Sequence, residues 1–278
     1  MPEYLKTDYS YNSAEFVETF DELPLWAAPF GLKLLDSISY RKGFTALDIG
    51  FGAGFPLTEI AMRLGRESKI YGVDPWDAAV DRAEKKIKRY GIQNVEIIRG
   101  KAEEIPLADN SIDLIVSNNG LNNVEDASQA LSECSRLIKS GGQFVQTMNL
   151  NSSMDEFYSI MKTVLIDMNL DICLAAMQRQ IYDKRKPLEE YSVLIKSHGF
   201  DIEKILHDSF DYKFVDGTTM LHHHFFRMAF MDGWKSIVPT EQQVEVFQNI
   251  ENRLNEFSEE NGCFKLTIPF VLIDARKT

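Results

Sequence analysis

The stretch Thr45-Ala46-Leu47-Asp48-Ile49-Gly50-Phe51-Gly52-Ala53-Gly54-Phe55-Pro56 carries the clearest structural signal in this chain of 278 residues. An apolar run leads into three glycines at alternate positions, and the amphipathic run Leu57-Thr58-Glu59-Ile60-Ala61 follows the proline. Glycine tolerates positive φ and close approach to the backbone, and proline suits the first turn of a helix. The pattern therefore predicts a strand, a tight turn and a helix whose free amides face a ligand.

The spacing of the glycines limits the kind of ligand. A dinucleotide-binding turn follows the pattern G-x-G-x-x-G, which would place its third glycine at position 55, but that residue is Phe55. Asp48 stands two residues before Gly50. A carboxylate there would repel a pyrophosphate but attract the ammonium of an amino acid. We therefore predict that the ligand is an aminoacyl nucleoside without phosphate groups.

An acid, one further residue and then G-x-G-x-G resembles the first motif of the class I S-adenosylmethionine-dependent methyltransferases. Later segments resemble, in order, the remaining strands and turns of that family's cofactor-binding core: Ile70–Asp74, Val95–Leu107, Asp113–Asn118 and Leu137–Val145. Within the family, the chain is similar to the type 11 group that acts on small molecules. The resemblance implies a doubly wound α/β fold with a mostly parallel, seven-stranded, Rossmann-like sheet.

The resemblance also implies the cofactor, S-adenosylmethionine, and the residues that bind it. Asp48 would hold the amino-acid ammonium directly or through water, Asp74 would bind the ribose hydroxyls, and Pro75 or Trp76 would pack on adenine. Many relatives carry an acid at the position of Lys101, so here the contact to the adenine amino group must come from Glu103 or a backbone carbonyl, or be absent. The predicted cofactor-binding residues are Asp48, Gly50, Phe51, Gly52, Gly54, Asp74, Pro75, Trp76, Ala102, Glu103 and Asn118.

The order of strand and helix patterns along the chain predicts a single methyltransferase domain with a helical cap. Alternating strand and helix patterns to position 150 indicate parallel β-α-β units, and longer helical patterns follow. Residues 13 to 40 look helical, with breaks expected at Pro24 and Pro29. The predicted parts are N-terminal helices at 1–42, the cofactor-binding core at 43–150, cap insertions at 151–187 and 215–262, and the rest of the sheet at 188–214 and 263–278.

Two groups of residues are candidates for orienting the methyl acceptor or for removing a proton from it. Asn118-Asn119-Gly120-Leu121-Asn122-Asn123 follows the fourth predicted strand, where amides can orient a polar acceptor but cannot remove a proton. Position favours this role for Asn118 and Asn119 and leaves it open for Asn122 and Asn123, although the same amides also suit turns and helix caps.

The second group is the run of three histidines, His222, His223 and His224. Consecutive residues on a helix point about 100° apart, so the three cannot chelate one metal ion, and we predict no metal site. One of them could be a general base, because imidazole titrates near neutral pH. The alternative is that all three are ordinary surface and packing residues.

Composition excludes some partners. The formal net charge is −12, whereas binding to a nucleic-acid backbone requires a basic face, so we predict no nucleic-acid partner. The small basic cluster of Arg179, Lys184, Arg185 and Lys186 is interpreted as a solvated helix end. No apolar run reaches membrane-spanning length and no signal segment precedes the first helix, so we expect no membrane span and a cytoplasmic location.

These patterns lead to one functional prediction and one alternative. The prediction is methyl transfer from S-adenosylmethionine to a small metabolite of apolar or mixed polarity, because the predicted cap is rich in methionine and aromatic residues. The alternative is a catalytically silent regulatory or scaffold protein that retains the cofactor site, since an intact site proves binding and not turnover.

Overall fold

The computed structural model describes residues 1–278, which form a single seven-stranded sheet with flanking helices. The strands are β1 (Thr45–Ile49), β2 (Lys69–Asp74), β3 (Val95–Arg99), β4 (Ile112–Asn118), β5 (Ile138–Asn149), β6 (Phe200–Phe214) and β7 (Phe264–Lys277). Their order across the sheet is β3-β2-β1-β4-β5-β7-β6. Strands β1 to β5 pair in parallel, and β7 pairs with β5 in the antiparallel sense, so the predicted fold class is confirmed.

The helices follow the predicted pattern, with one boundary wrong. They are α1 (Ala14–Glu22), α2 (Ala27–Ser37), α3 (Leu57–Leu64), α4 (Asp77–Tyr90), α5 (Ala127–Leu137), α6 (Asp155–Asp167), α7 (Asp171–Lys184), α8 (Leu188–Ser197), α9 (Gly217–His222), α10 (His224–Phe226), α11 (Asp232–Lys235) and α12 (Gln243–Asn261). The chain breaks at Pro24, as expected. The break expected at Pro29 is wrong, because this proline lies in the first turn of α2, where its missing amide costs no hydrogen bond.

Contacts between Cα atoms divide the chain into two compact units, which we name the sheet unit and the helical unit. The sheet unit comprises residues 11–149, 187–208 and 270–278, and the helical unit comprises residues 1–10, 150–186 and 209–269. The N-terminal residues belong to the helical unit because Tyr4 and Leu5 are buried there, and the Tyr4 hydroxyl donates to the Glu251 carboxylate at 2.8 Å. No helix is both long and apolar enough to cross a bilayer.

The core of the sheet unit places the glycine turn. Ala46, Ile70 and Leu114, on the neighbouring strands β1, β2 and β4, are buried in one cluster with Ile60 on α3 and Val80 on α4. Burial of this apolar surface, at about 25 cal/mol per Å², fixes both helices against the sheet. The start of α3 is thereby held at the carboxyl end of β1, where ligands bind in doubly wound sheets.

Candidate active site

The three glycines of the turn differ in what a side chain at each position would meet. All three have positive φ: 74° at Gly50, 54° at Gly52 and 102° at Gly54. A Cβ added at Gly50 would lie 2.6 Å from Cα of Gly120, and one at Gly54 would lie 3.2 Å from Cβ of Ala83. A Cβ at Gly52 would meet nothing within 4 Å. Gly50 and Gly54 are thus required by packing, whereas Gly52 alone borders open space that a ligand can enter.

Asp48 is a buried carboxylate without a partner. It is 0 % exposed, and neither of its oxygens accepts a hydrogen bond. Burial raises the pKa of Asp48 well above its ordinary value, and the nearby charge of Asp74 raises it further. The backbone amide of Leu57 has a smaller opposite effect on this pKa, without completing a hydrogen bond of normal geometry. A buried anion in this state is stabilised by a cation that donates hydrogen bonds.

Asp74 ends β2 and shapes the turn. One carboxylate oxygen accepts from the Gly52 amide at 2.7 Å, and the other accepts from the Trp76 amide at 2.8 Å. Burial raises the pKa of Asp74, and the two amides oppose that shift. Each oxygen has lone-pair capacity for a second donor, so the same carboxylate is suited to accept from ligand hydroxyls.

Asp74→Ala is expected to weaken S-adenosylmethionine binding by about 1.5 to 3 kcal/mol, the range for losing hydrogen bonds to a charged acceptor. The substitution also leaves the Gly52 and Trp76 amides without partners, so the turn is less well held. Calorimetric titration measures the loss, and Asp77→Ala, which removes an exposed carboxylate three residues further on, is the control. Unchanged affinity in Asp74→Ala would refute the ribose assignment.

The aromatic residues near the turn are less free than the sequence indicates. Trp76 donates from its indole nitrogen to the Tyr11 carbonyl at 3.0 Å, and its ring centroid lies 6.2 Å from that of Phe16 and 6.1 Å from that of Phe20. The side chain of Phe51 is 1 % exposed and belongs to the core, so only its backbone faces the turn. Pro75 is exposed. Packing of adenine on Pro75 or Trp76 stays a prediction.

The segment predicted to contact adenine is tied to the start of α5. Lys101 is paired with Glu125 at 2.6 Å, and both side chains are exposed. One oxygen of Glu103 accepts from the Asp126 amide at 3.1 Å. Ala102 is buried between them. If Glu103 contacts adenine, it does so with a carboxylate that already accepts a hydrogen bond at the start of α5.

Asn118 has a structural role that the sequence did not indicate. Its side-chain oxygen accepts from the Thr147 hydroxyl at 2.9 Å, and its side-chain nitrogen donates to the Ala27 carbonyl at 3.0 Å. The amide thus joins the carboxyl end of β4 to β5 and to the start of α2. Its contact with the cofactor stays a prediction.

Asn119, Asn122 and Asn149 form an amide cluster at the carboxyl ends of β4 and β5. The side-chain oxygen of Asn119 accepts from the backbone amide of Asn149 at 3.2 Å. The side-chain nitrogen of Asn122 lies 3.5 Å from the side-chain oxygen of Asn149. The Asn119 nitrogen and the Asn122 oxygen are buried and have no partner. Among its fully buried atoms, the cluster therefore has one donor and one acceptor without partners. Sequence reasoning missed Asn149, although its place at the end of the neighbouring parallel strand was a usable signal.

The histidines lie in the helical unit and do not share one helix, which corrects the prediction. His222 ends α9, His223 has extended backbone angles, and His224 begins α10. The ring of His222 packs edge-on against Tyr4 at 5.2 Å. Burial lowers the pKa of His223, His224 lowers it further, and the His223 Nδ1 is buried without a partner. These contacts suit packing residues, and a general-base role for any of the three stays a prediction.

Two other features of the chain do not coincide with the predicted site. A surface cleft of about 480 Å³ lies between α1 and α4 and is lined mainly by charged residues, none of which is a predicted cofactor ligand. No group of three His, Cys, Asp or Glu side chains is placed to hold a metal ion. The glycine turn with its two aspartates is therefore the site with the clearest chemistry.

Residues 47–146 match a family model described as a methyltransferase domain. With the fold and the glycine turn, this match identifies residues 47–146 as a methyltransferase domain of the class I type, a class whose cofactor is S-adenosylmethionine. The buried, unpartnered carboxylate of Asp48 fits the ammonium of that cofactor, and the open space at Gly52 fits its approach.

Curated relatives include two enzymes named demethylmenaquinone methyltransferase. The one from Geobacillus stearothermophilus is 36% identical over 105 residues, which are 38% of this chain and 45% of the relative. The one from Bacillus velezensis is 31% identical over 136 residues, which are 49% of this chain and 57% of the relative. The chain thus spans about half the length of the curated relatives it matches. A solved structure of a putative methyltransferase from Bacillus halodurans shares the fold, with a TM-score of 0.59 and 19% identity over 89% of this chain and 98% of that one.

Proposed function

We propose that this chain transfers a methyl group from S-adenosylmethionine to a small metabolite of apolar or mixed polarity. The observation that carries the proposal is the carboxylate of Asp48, fully buried and unpartnered beside the open glycine turn. When bound, S-adenosylmethionine supplies a methyl group that is already activated on a sulfonium. The protein then has to bind, align the acceptor and exclude water.

The residues of the sheet unit divide these tasks. Asp48 holds the ammonium group, and Asp74 accepts from the ribose hydroxyls while it holds the turn through Gly52. The amide cluster orients the acceptor in this proposal, because the Asn119 nitrogen and the Asn122 oxygen are buried polar atoms without partners.

The helical unit sets the choice of acceptor in this proposal. The family match ends at residue 146, before the long helical segments of that unit begin. Its core is made of adaptable methionine and aromatic side chains, which suit an apolar or mixed ligand. Their buried members include Met154, Met161, Phe225, Phe226, Met228, Met231 and Trp234. The names of the curated relatives point the same way, since a demethylmenaquinone is a quinone-type small molecule.

The test is incubation of the full chain with methyl-labelled S-adenosylmethionine and a metabolite extract. We expect S-adenosylhomocysteine to accumulate and one extract component to gain a labelled methyl group by mass spectrometry. Cofactor binding by calorimetry without any labelled product, across extracts of several sources, would favour the silent cofactor-binding alternative.

Asn119→Asp is expected to lower kcat/KM for the acceptor found in that screen by about 10-fold, which corresponds to roughly 1.4 kcal/mol for one lost hydrogen bond. The carboxylate keeps the oxygen that accepts from the Asn149 amide but removes the unpaired donor. Asn151→Asp makes the same chemical change at an exposed asparagine outside the cluster and is the control. Equal kcat/KM in the two variants would show that Asn119 does not contact the acceptor.

A further inference from the structure

Arg185 is a buried arginine with no acidic partner. The residue is only 5 % exposed. One terminal nitrogen of its guanidinium, Nη1, is fully buried and has no hydrogen-bond acceptor. No carboxylate lies within 4.0 Å of its guanidinium, although the chain has 42 acidic residues. The expectation of a solvated helix end is therefore wrong for Arg185. It holds only for Arg179, Lys184 and Lys186, which are exposed.

Burial of this charge is unfavourable as it stands. Guanidinium remains protonated under ordinary conditions, so it cannot relieve the cost of burial by losing its proton. A buried ion that lacks a counter-ion, and one of whose donors lacks an acceptor, destabilises the fold. Such a residue is expected where a ligand supplies the missing charge.

The surroundings hold the guanidinium in a defined place. Its central carbon lies 5.4 Å from the centroid of the Tyr158 ring, a cation–π contact within the helical unit. The Tyr158 hydroxyl donates to Gln180 at 3.1 Å and accepts from the indole nitrogen of Trp234 at 3.3 Å. The Trp234 ring is in turn stacked on Phe157 at 4.0 Å. The aromatic face is thus fixed from several sides, and the buried Nη1 of the guanidinium has no acceptor.

We propose that Arg185 is the anchor of an anion-binding site in the helical unit, and that the site takes the carboxylate or phosphate of a small aromatic or otherwise apolar organic acid. A guanidinium edge matches a carboxylate or phosphate with two parallel hydrogen bonds. The neighbouring aromatic rings favour an apolar body on the same ligand. The net charge of −12 makes unspecific attraction of anions weak, so binding depends on this built site.

The identity of the acid as the methyl acceptor rests on the proposed function, whereas the anion site itself does not. Binding of the anion is therefore tested separately from methyl transfer.

The experiment measures binding of benzoate and phenyl phosphate to the full chain saturated with S-adenosylhomocysteine, with benzyl alcohol as the neutral probe and inorganic phosphate as the bare anion. Ionic strength is held constant with sodium chloride. We expect both aromatic anions to raise the melting temperature and to give a calorimetric Kd at least 10-fold below that of benzyl alcohol. Equal binding of the charged and neutral probes would overturn the proposal.

Three variants assign the effect to Arg185. Arg185→Met should lose at least 10-fold in affinity for the aromatic anions, Arg185→Lys should retain part of it, and Arg179→Met, an exposed residue on α7, should bind as the wild type does. The free Arg185→Met protein should melt no lower than the wild type, because a costly buried charge has been removed. Normal anion binding by Arg185→Met would overturn the proposal. So would a lower melting temperature of that variant together with wild-type anion binding by Arg185→Lys, because this would give Arg185 a structural role.

Failure of the anion site and failure of the proposed function give different results. Cofactor binding by Arg185→Met should equal that of the wild type. If the wild type binds aromatic anions but forms no methylated acid from any of them, the site stands and its link to the acceptor falls. If the wild type does not bind S-adenosylhomocysteine at all, the proposed function falls, and the anion titrations are then read on the free protein.

Discussion

Asp48→Asn is expected to weaken the binding of S-adenosylmethionine by about 2 to 4 kcal/mol, which is roughly 30- to 1000-fold in Kd. Asparagine has nearly the shape of aspartate, so the turn keeps its geometry, but the charge that holds the ammonium is gone. The loss is large because the Asp48 carboxylate is fully buried and makes no hydrogen bond within the protein. A ligand cation would be its only ionic partner.

The same substitution is expected to stabilise the free protein. A buried, unpaired charge opposes folding, so the free energy of unfolding of Asp48→Asn should exceed that of the wild type by about 1 kcal/mol at pH 8. Urea unfolding without ligand measures this difference, and calorimetry measures cofactor affinity. Weaker binding together with lower stability would indicate a damaged turn and contradict the assignment.

The pH dependence provides an independent check on Asp48. Its pKa is raised in the folded protein, so protonation stabilises the fold fully below the ordinary pKa of aspartate, and that contribution disappears as the pH rises through the raised value. The wild type should therefore lose stability relative to Asp48→Asn across that window. Cofactor affinity of the wild type should rise over the same window, because the ionised form binds the ammonium, whereas the affinity of the variant should stay flat. Parallel pH profiles for the two proteins would exclude Asp48 as the titrating group.

Gly50→Ala is expected mainly to lower stability and Gly52→Ala mainly to weaken cofactor binding, although the two positions are only two residues apart. At Gly50, the new Cβ meets the backbone of Gly120 at 2.6 Å, and backbone atoms cannot move aside cheaply. We expect a loss of more than about 2 kcal/mol in the free energy of unfolding. At Gly52 nothing lies within 4 Å, so the cost is only that of a positive φ, about 1 kcal/mol.

Cofactor binding should show the reverse order of effects. The Gly52 methyl group would occupy the space beside the turn that the ligand enters, so we expect Gly52→Ala to bind S-adenosylmethionine about 100-fold more weakly while it stays folded. Urea unfolding and calorimetry on both variants separate stability from affinity, and each variant is the control for the other. Normal cofactor affinity in Gly52→Ala would show that the ligand does not approach the turn from this side.

Local signals in the sequence were sufficient for the fold. The glycine turn after β1, the apolar stripe of α4 and its stop at Gly91 depend on residues within a few positions of one another. The amide of Gly91 donates to the carbonyls of Ile87 and Lys88, as the glycine at that position indicates. The mostly parallel, seven-stranded sheet was predicted from the resemblance to a known family, and the structure adds the antiparallel β7 between β5 and β6.

The sequence by itself determined the class of the domain that contains the glycine turn, the mostly parallel sheet that follows from the class, and the aspartates near the ends of β1 and β2. Only the tertiary structure decided which polar groups have partners. Asn118 is occupied because Thr147 and Ala27 lie beside it, Asn149 completes an amide cluster from the next strand, and Arg185 is buried instead of solvated. The physical reason is that hydrogen bonding and burial of a side chain depend on residues that are distant along the chain and adjacent only after folding.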